Sequence, residues 1–417
     1  MKIWLIMSGE PLPLFGERPH RIGILAEKLA SKGHDVTWWT TTFDHQHKKY
    51  LYNKNTSIHI TPSYKINFVH GSIPYKKNIS ITRLINHYQV SKAFKKNTNE
   101  EQRPDIILCA YPTIDLAYEA VRYANKNNIP IVIDVRDLWP DIFIDPLPNS
   151  LKKIGELALS LYIKKANYIF NHCTSIIAVS DSYLLWTQKY KLNSSESVLD
   201  KIFPLGYKKP DPIKNVIIEN KFSYINFSPS INYVLFSGTF GQTYDLSTII
   251  KSAAMLKDNK KVHFIFVGDG ENTYKWKTEA HGLNNITFTG WVNNDELSYL
   301  LSKSDIGLMA YKINAPQSLP NKIFEYLAYG MPIVSSLDTD TKHLLFSKNI
   351  GITYTAGDPI DFKKKLLKIL NDDNILSEMK KNAQILFNES YSSDNIYDNL
   401  VIYLEETHQF FGEKYDK

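Results

Sequence analysis

From end to end the chain alternates short apolar runs with helical patterns, and few architectures accept that arrangement. Runs at Lys2–Met7, Asp35–Thr41, Asp105–Cys109, Ile129–Val135 and Ser175–Val179 read as strands in the first half. Helical patterns fall at His20–Lys32, Ile79–Lys96, Asp115–Asn127, Leu151–Asn171 and Asp181–Lys189. In the second half strand-like runs lie at Tyr233–Ser237, His263–Val267, Asn285–Thr289, Ile306–Ala310 and Ile333–Ser336, with helices between them. Strands that alternate with helices form parallel sheets covered by those helices. The expectation is an α/β chain of two Rossmann-like, doubly wound domains. Phe203-Pro204-Leu205-Gly206-Tyr207 reads as the linker, which sets domains at 1–205 and 206–390. A helical, strongly aromatic segment at 391–417 follows. The polar region 210–231 reads as a loop with one short helix.

Two cysteines, Cys109 and Cys173, argue against a disulfide framework and fit a reducing compartment. Neither has metal-ligand spacing. The apolar start, Ile3 to Met7, is too short for a signal peptide, and no later run approaches a membrane span. The expected setting is the cytoplasm, or a membrane surface that the chain does not cross. Charge is unevenly placed. Between Asp44 and Glu100 there is no acidic residue, but nine lysines and Arg83, so this interval is +10 and the remainder −4. Within it Ile79–Lys96 suits a basic amphipathic helix, with Ile81, Leu84, Ile85, Tyr88 and Phe94 as apolar positions. Such a helix reads as a membrane-surface binder or as the solvated basic face of a core helix. Nucleic acid is not an expected partner, since no binding module accompanies the charge.

The stretch from Leu319 to Val334 (LPNKIFEYLAYGMPIV) reads as a loop, a short helix and a buried strand. Pro320 suits a first helical turn, and Gly330 followed by Pro332 stops the helix. Lys322 sits in the first turn, where unpaired N–H groups favour a phosphate. Glu325 lies three residues on, on the same face. A cation at the anion end and a carboxylate one turn down match a nucleoside diphosphate and its ribose; a solvated surface pair is the other reading. This stretch resembles the donor helix of retaining glycosyltransferases of family 4, which share the GT-B fold: two Rossmann-like domains facing a central cleft. The resemblance implies that Glu325 holds the donor ribose, and that Ser318, Leu319, Asn321 and Lys322 surround the diphosphate. The family often carries a second glutamate eight residues earlier; here that position is Gln317. In GT-B proteins the terminal helix crosses back to the N-terminal domain.

Further segments fit this frame. After the first strand, Gly16 would let backbone approach a donor phosphate, and Arg18 would pair with it. Gly33-His34 is a helix-ending turn in the family, so His34 is structural, and Trp38–His45 resembles WbuB-type transferases of surface polysaccharide assembly. Ile133-Asp134-Val135-Arg136-Asp137-Leu138-Trp139 closes a buried strand with charge. Many relatives have a histidine near the reacting sugar here; Arg136-Asp137 stands in its place. Asp137 would orient or deprotonate the acceptor hydroxyl, and an Arg–Asp structural pair is the alternative. In the second half Gly238 ends a strand, but the basic pair that many relatives carry after this turn is missing. Gly268-Asp269-Gly270 is a tight turn, and Val292 would meet the nucleotide base.

The resemblance implies a glycosyltransferase that moves a sugar from a nucleotide sugar, UDP-linked by expectation, to a polyprenyl-diphosphate-linked glycan at the inner face of the cytoplasmic membrane. The sugar suggested is an N-acetyl-amino-deoxyhexose such as N-acetyl-fucosamine. Lys322 and the helix start would stabilise the departing diphosphate, so neither metal nor cofactor is expected. A sugar-nucleotide 2-epimerase of the same fold and a non-catalytic nucleotide-sugar binding protein are the alternatives.

Overall fold

A computed structural model describes residues 1–17, 19–77, 80–111, 113–192, 197–209, 216–315 and 317–415. The chain divides into two compact units, Met1–Leu205 with Ile396–Lys417, and Gly206–Asn395.

The first unit is built on β1 (Lys2–Ile6), β2 (Asp35–Thr41), β3 (Phe43–Asp44), β4 (Lys49–Tyr50), β5 (Thr56–Thr61), β6 (Tyr64–Val69), β7 (Ile106–Tyr111), β8 (Ile131–Val135), β9 (Ser175–Ala178) and β10 (Lys201–Ile202). Eight of these form one sheet in the order β10-β9-β8-β7-β1-β2-β6-β5, and β3 and β4 make a separate ribbon. Every pairing in the large sheet is parallel except β5 with β6. The central strands are buried along their whole length, as sheets covered on both faces require. Aromatic side chains fill one face: Trp4 packs edge-on against Trp39 at 5.2 Å, and Trp39 against Phe94 at 5.2 Å.

Two sequence expectations change here. The β5–β6 hairpin lies within the basic interval and was not read as strand. The helix expected over Leu151–Asn171 is two helices, Asn149–Ala158 and Ser160–His172, which break at Leu159. The helix Ile81–Asn97 buries Val90 and Phe94 and packs Leu84 on the core, whereas Ile81, Ile85 and Tyr88 face outward.

The closing helix, Ser393–Tyr415, belongs to the first unit from Ile396 onward. Asp398 pairs with Lys28 at 2.7 Å and Lys32 at 3.0 Å. His34 meets Glu405 at 3.0 Å, and the Tyr403 hydroxyl donates to the Leu199 carbonyl.

The second unit carries β11 (Asn232–Ser237), β12 (Val262–Val267), β13 (Ile286–Gly290), β14 (Ile306–Met309), β15 (Ile333–Ser335) and β16 (Gly351–Thr353). They form a parallel sheet in the order β13-β12-β11-β14-β15-β16. In each unit the order reverses at the first strand: β1 lies between β2 and β7, and β11 between β12 and β14. At such a switch point the crossovers depart to opposite sides and leave a crevice beyond the carboxyl ends of the strands.

Candidate functional site

The second unit's switch point lies between β11 and β14, and the expected donor residues gather there. Helix Lys322–Ala328 is seated by Tyr326, whose ring presses on β14 so closely that a Cβ at Gly307 would lie 2.3 Å from it. The Tyr326 hydroxyl donates to the Leu308 carbonyl at 3.1 Å and accepts from the Ser237 N–H at 3.2 Å. This ties the helix to both strands flanking the switch. Glu325 then lies at the end of β11, accepting from the Ser237 hydroxyl at 3.0 Å.

Lys322 reaches the same place. Its Nζ donates to the Tyr244 hydroxyl at 3.0 Å and lies over the Tyr244 and Phe236 rings. It makes no ion pair with a described carboxylate. A Cβ at residue 238 would stand 2.5 Å from this nitrogen, so glycine is what admits the ammonium. Gly238 has φ 142°, and its N–H bonds to the Val267 carbonyl. The loops after β11, β12 and β13 are laced together, since Gly268 donates in turn to the Gly290 carbonyl at 2.9 Å. A Cβ at Gly268 would come within 2.0 Å of the Gly238 carbonyl oxygen. Val292 follows this laced edge, beside the exposed Trp291.

The loop before the helix is fixed from the next strand's crossover. Thr339 donates to the carbonyls of Gln317 and Ser318, and the Ser318 hydroxyl bonds to Asp340. The Gln317 Oε1 atom is buried with no hydrogen-bond partner among the described residues. Leu319 is half-buried and Asn321 exposed at the helix start. The helix is only seven residues long, so the local positive charge comes chiefly from Lys322 rather than from a macrodipole.

Two contributors escaped sequence reading. Tyr244 holds Lys322 from 78 residues away. Lys312, just past β14, bonds to Gln242 in the β11 loop at 3.3 Å, putting a cation near the turn whose basic pair is missing. Its position after a switch-point strand was the available signal. Lys312 and Thr339 also line a cavity of about 720 Å³ over the ends of β14, β15 and β16.

In the first unit Arg136 and Asp137 part company. Arg136 turns inward: Nε donates to Asp134 and Nη1 to Glu10, each at 2.8 Å, and Arg21 pairs with the same fully buried Asp134 at 2.9 Å. Burial alone would push the Asp134 carboxyl up, but the two guanidinium groups outweigh it and hold it below its ordinary value. Arg136 is thus engaged in a buried ionic lattice, with Nη2 lacking a partner among the described residues. Asp137 is half-buried; burial raises its pKa and Arg83 opposes the rise.

Arg83 is the centre of a cluster that sequence reading did not assemble. It lies over the Trp139 ring at 4.9 Å, and its Nε is 3.4 Å from His87 Nε2. The Tyr75 hydroxyl is 2.7 Å and Lys48 Nζ 3.4 Å from His45 Nδ1. Burial, reinforced by Arg83, lowers His87 to about 3; burial, then Arg83 and Lys48, lower His45 to about 4. Both imidazoles are therefore neutral near pH 7. Gly16 caps the Pro13–Phe15 turn with φ 81° and open space at its Cβ position, so the turn itself explains the glycine. Arg18 lies outside the described residues.

Comparison with known proteins fits this architecture. Among solved structures, sucrose-phosphate synthase from Thermosynechococcus elongatus superposes with a TM-score of 0.69 at 14% identity, covering 99% of both chains. The Anabaena protein Alr3699/HepE in complex with UDP gives 0.66 at 14% identity, covering 97% of this chain and 99% of that one. The fold is GT-B, two parallel-sheet α/β domains.

Residues 21–198 match the family described as Glycosyltransferase Family 4, and residues 218–385 match Glycosyl transferases group 1. Each half of the chain thus matches a glycosyltransferase family. The chain is 27% identical over 267 residues to a putative teichuronic acid biosynthesis glycosyltransferase of Bacillus subtilis (strain 168), 60% of this chain and 62% of the relative. It is 21% identical over 229 residues to O-antigen chain mannosyltransferase C of Escherichia coli, 54% of this chain and 59% of the relative. These two matches each span about three-fifths of the relative. A Campylobacter jejuni α-1,4-N-acetyl-D-galactosaminyltransferase, named for an undecaprenol-diphosphate-linked glycan, is 28% identical over 316 residues, 71% of this chain and 83% of that one.

Proposed function

We propose that this chain is a retaining glycosyltransferase of surface polysaccharide biosynthesis. It takes a sugar from a UDP-linked donor and passes it to a polyprenyl-diphosphate-linked glycan at the inner face of the cytoplasmic membrane. The observation that carries the reading is the convergence of Lys322, Gly238, Glu325 and Ser237 at the β11–β14 switch point. An ammonium held by rings and a hydroxyl is preorganised for charge that develops on a departing diphosphate. In this reading Glu325 accepts from the ribose hydroxyls and Val292 meets the base. The orphaned Gln317 oxygen would be satisfied by a hydroxyl of the donor sugar. Asp137 is the candidate for orienting or deprotonating the acceptor.

The printed names of the curated relatives support transfer into teichuronic acid, O-antigen and undecaprenol-diphosphate-linked glycans. All three are transferases, which favours transfer over an epimerase or a binding-only protein. An N-acetyl-amino-deoxyhexose such as N-acetyl-fucosamine is the proposed sugar, on the WbuB-type resemblance of the N-terminal segment.

Thermal shift with UDP, GDP, CMP and their common sugars, on wild type and Glu325→Ala, tests the donor site. A UDP-selective rise that disappears in the variant is expected. No rise with any nucleotide would overturn the donor reading.

A further inference from the structure

The Lys48–Arg83 cluster has more cationic and aromatic groups than the proposed chemistry at Asp137 needs. It draws on four separate segments. The β3–β4 ribbon supplies His45 and Lys48, the approach to the helix supplies Tyr75, the first helical turn supplies Arg83, and the loop after β8 supplies Asp137 and Trp139. All but Tyr75 and Arg83 follow the carboxyl ends of parallel strands, on the ligand side of the sheet. Lys48 adopts φ 56°, a conformation that costs a non-glycine residue energy and persists where the surroundings impose it. That backbone carries Nζ to His45 and over the Tyr75 ring at 5.0 Å. Arg83 meets Tyr75 from another side at 5.9 Å. Two cations are thus steered onto one tyrosine and its histidine partner. His45 also walls a neighbouring cavity of about 350 Å³, whose lining mixes Leu12, Phe15 and Leu51 with the carboxylates Glu10, Glu17 and Asp44.

Asp44 does not neutralise this pair outright. Its carboxylate is engaged by His47 and by the N–H groups of Gln46 and His47. The depressed proton affinity of His45 agrees, since the two cations outweigh Asp44 there.

We propose that Lys48 and Arg83, with the Tyr75 hydroxyl between them, form an anion subsite for the diphosphate of a prenyl-linked acceptor. Lys48 supplies a point charge and Arg83 a fork that matches phosphate oxygens. Asp137, whose carboxyl interacts electrostatically with Arg83, then lies beside the subsite. This assignment rests on the proposed acceptor class and is separable from the donor reading.

Isothermal titration of the full chain, saturated with UDP, uses inorganic pyrophosphate and geranyl diphosphate as probes. Saturable binding of both is expected. Lys48→Asn, which keeps the left-handed backbone, and Arg83→Gln should each weaken both probes about tenfold or more with UDP affinity unchanged. If Arg83→Gln does not fold, Lys48→Asn decides alone. Binding unaltered in the variants, or absent once UDP is present, overturns the subsite. Should UDP itself not bind, the same titrations in Lys322→Ala without nucleotide test the subsite independently.

Discussion

Lys322 holds its charge against aromatic faces rather than a carboxylate, and that choice fixes what it can do. A lysine in an ion pair must break it to receive a phosphate; one held by Tyr244 and Phe236 need not. Removing a preorganised donor of this kind typically costs about 100- to 1,000-fold in turnover. Lys322→Ala is therefore expected to lower kcat by that order while the melting temperature changes little, and wild-type turnover should survive EDTA. Loss of activity in EDTA with recovery on adding Mg²⁺ would point to metal-assisted departure instead. The histidines of the Arg83 cluster make a different prediction. His87 accepts from Arg83 and is lowered to about 3, so the folded state refuses a proton that the unfolded chain binds below about 6.5. The unfolded state then holds more protons between those values, and stability is lost as pH falls through that window. On acidification from pH 7 to 5, His87→Gln should lose about 1–2 kcal/mol less unfolding free energy than wild type, measured by denaturant titration at each pH. Equal losses in the two proteins would mean His87 titrates normally in the folded state.

At the scale of elements, two helices of the first unit turn apolar side chains away from its core. Along Ile81–Asn97 the outward positions Ile81, Ile85 and Tyr88 run into Lys92, Lys95 and Lys96. Helix Asn149–Ala158 buries none of its residues and exposes Leu151, Ile154 and Leu157. An exposed apolar stripe flanked by lysines is the pattern of helices that lie in a lipid headgroup region. Co-sedimentation with vesicles containing anionic lipid should fall several-fold in the Lys92→Glu, Lys95→Glu, Lys96→Glu triple variant, and in wild type at high salt. Unchanged sedimentation would remove the membrane role from this helix. The same elements show what sequence can carry. The strands β1, β2, β8, β11 and β12 were legible within two residues because each has apolar residues through its centre. The hairpin of β5 and β6 was not, because β5 is a short edge strand whose apolar face is only Ile58 and Ile60, with Ile60 itself exposed. The break at Leu159 carries no proline or glycine to mark it. Glu325 and Lys322 could be read locally because a single helical turn sets their spacing. Arg136 could not, since its partner Glu10 lies 126 residues away.

For the whole molecule the decisive piece is the last one in the chain. The closing helix gives the first unit Ile396, Tyr397, Leu400, Val401, Tyr403 and Leu404, all buried. Fully burying side chains of this size contributes roughly 1.5–3 kcal/mol each. Six of them sum to roughly 9–18 kcal/mol, as large as the 5–15 kcal/mol by which a typical domain is stable at all. The ion pairs to Asp398 are partly exposed and add little to that figure, but they set the helix's register along Lys28 and Lys32. Residues 1–205 therefore carry the complete eight-stranded sheet and yet an incomplete core. Expressed alone, they are expected to lack a cooperative unfolding transition, whereas residues 206–395, whose sheet and core are self-contained, should melt cooperatively and still bind UDP. In the full chain Leu400→Asp, which places an uncompensated charge at a fully buried site, should destabilise the first unit by several kcal/mol and leave the UDP-induced shift of the second. A cooperative melt of residues 1–205 would show that the closing helix decorates the first unit rather than completing it.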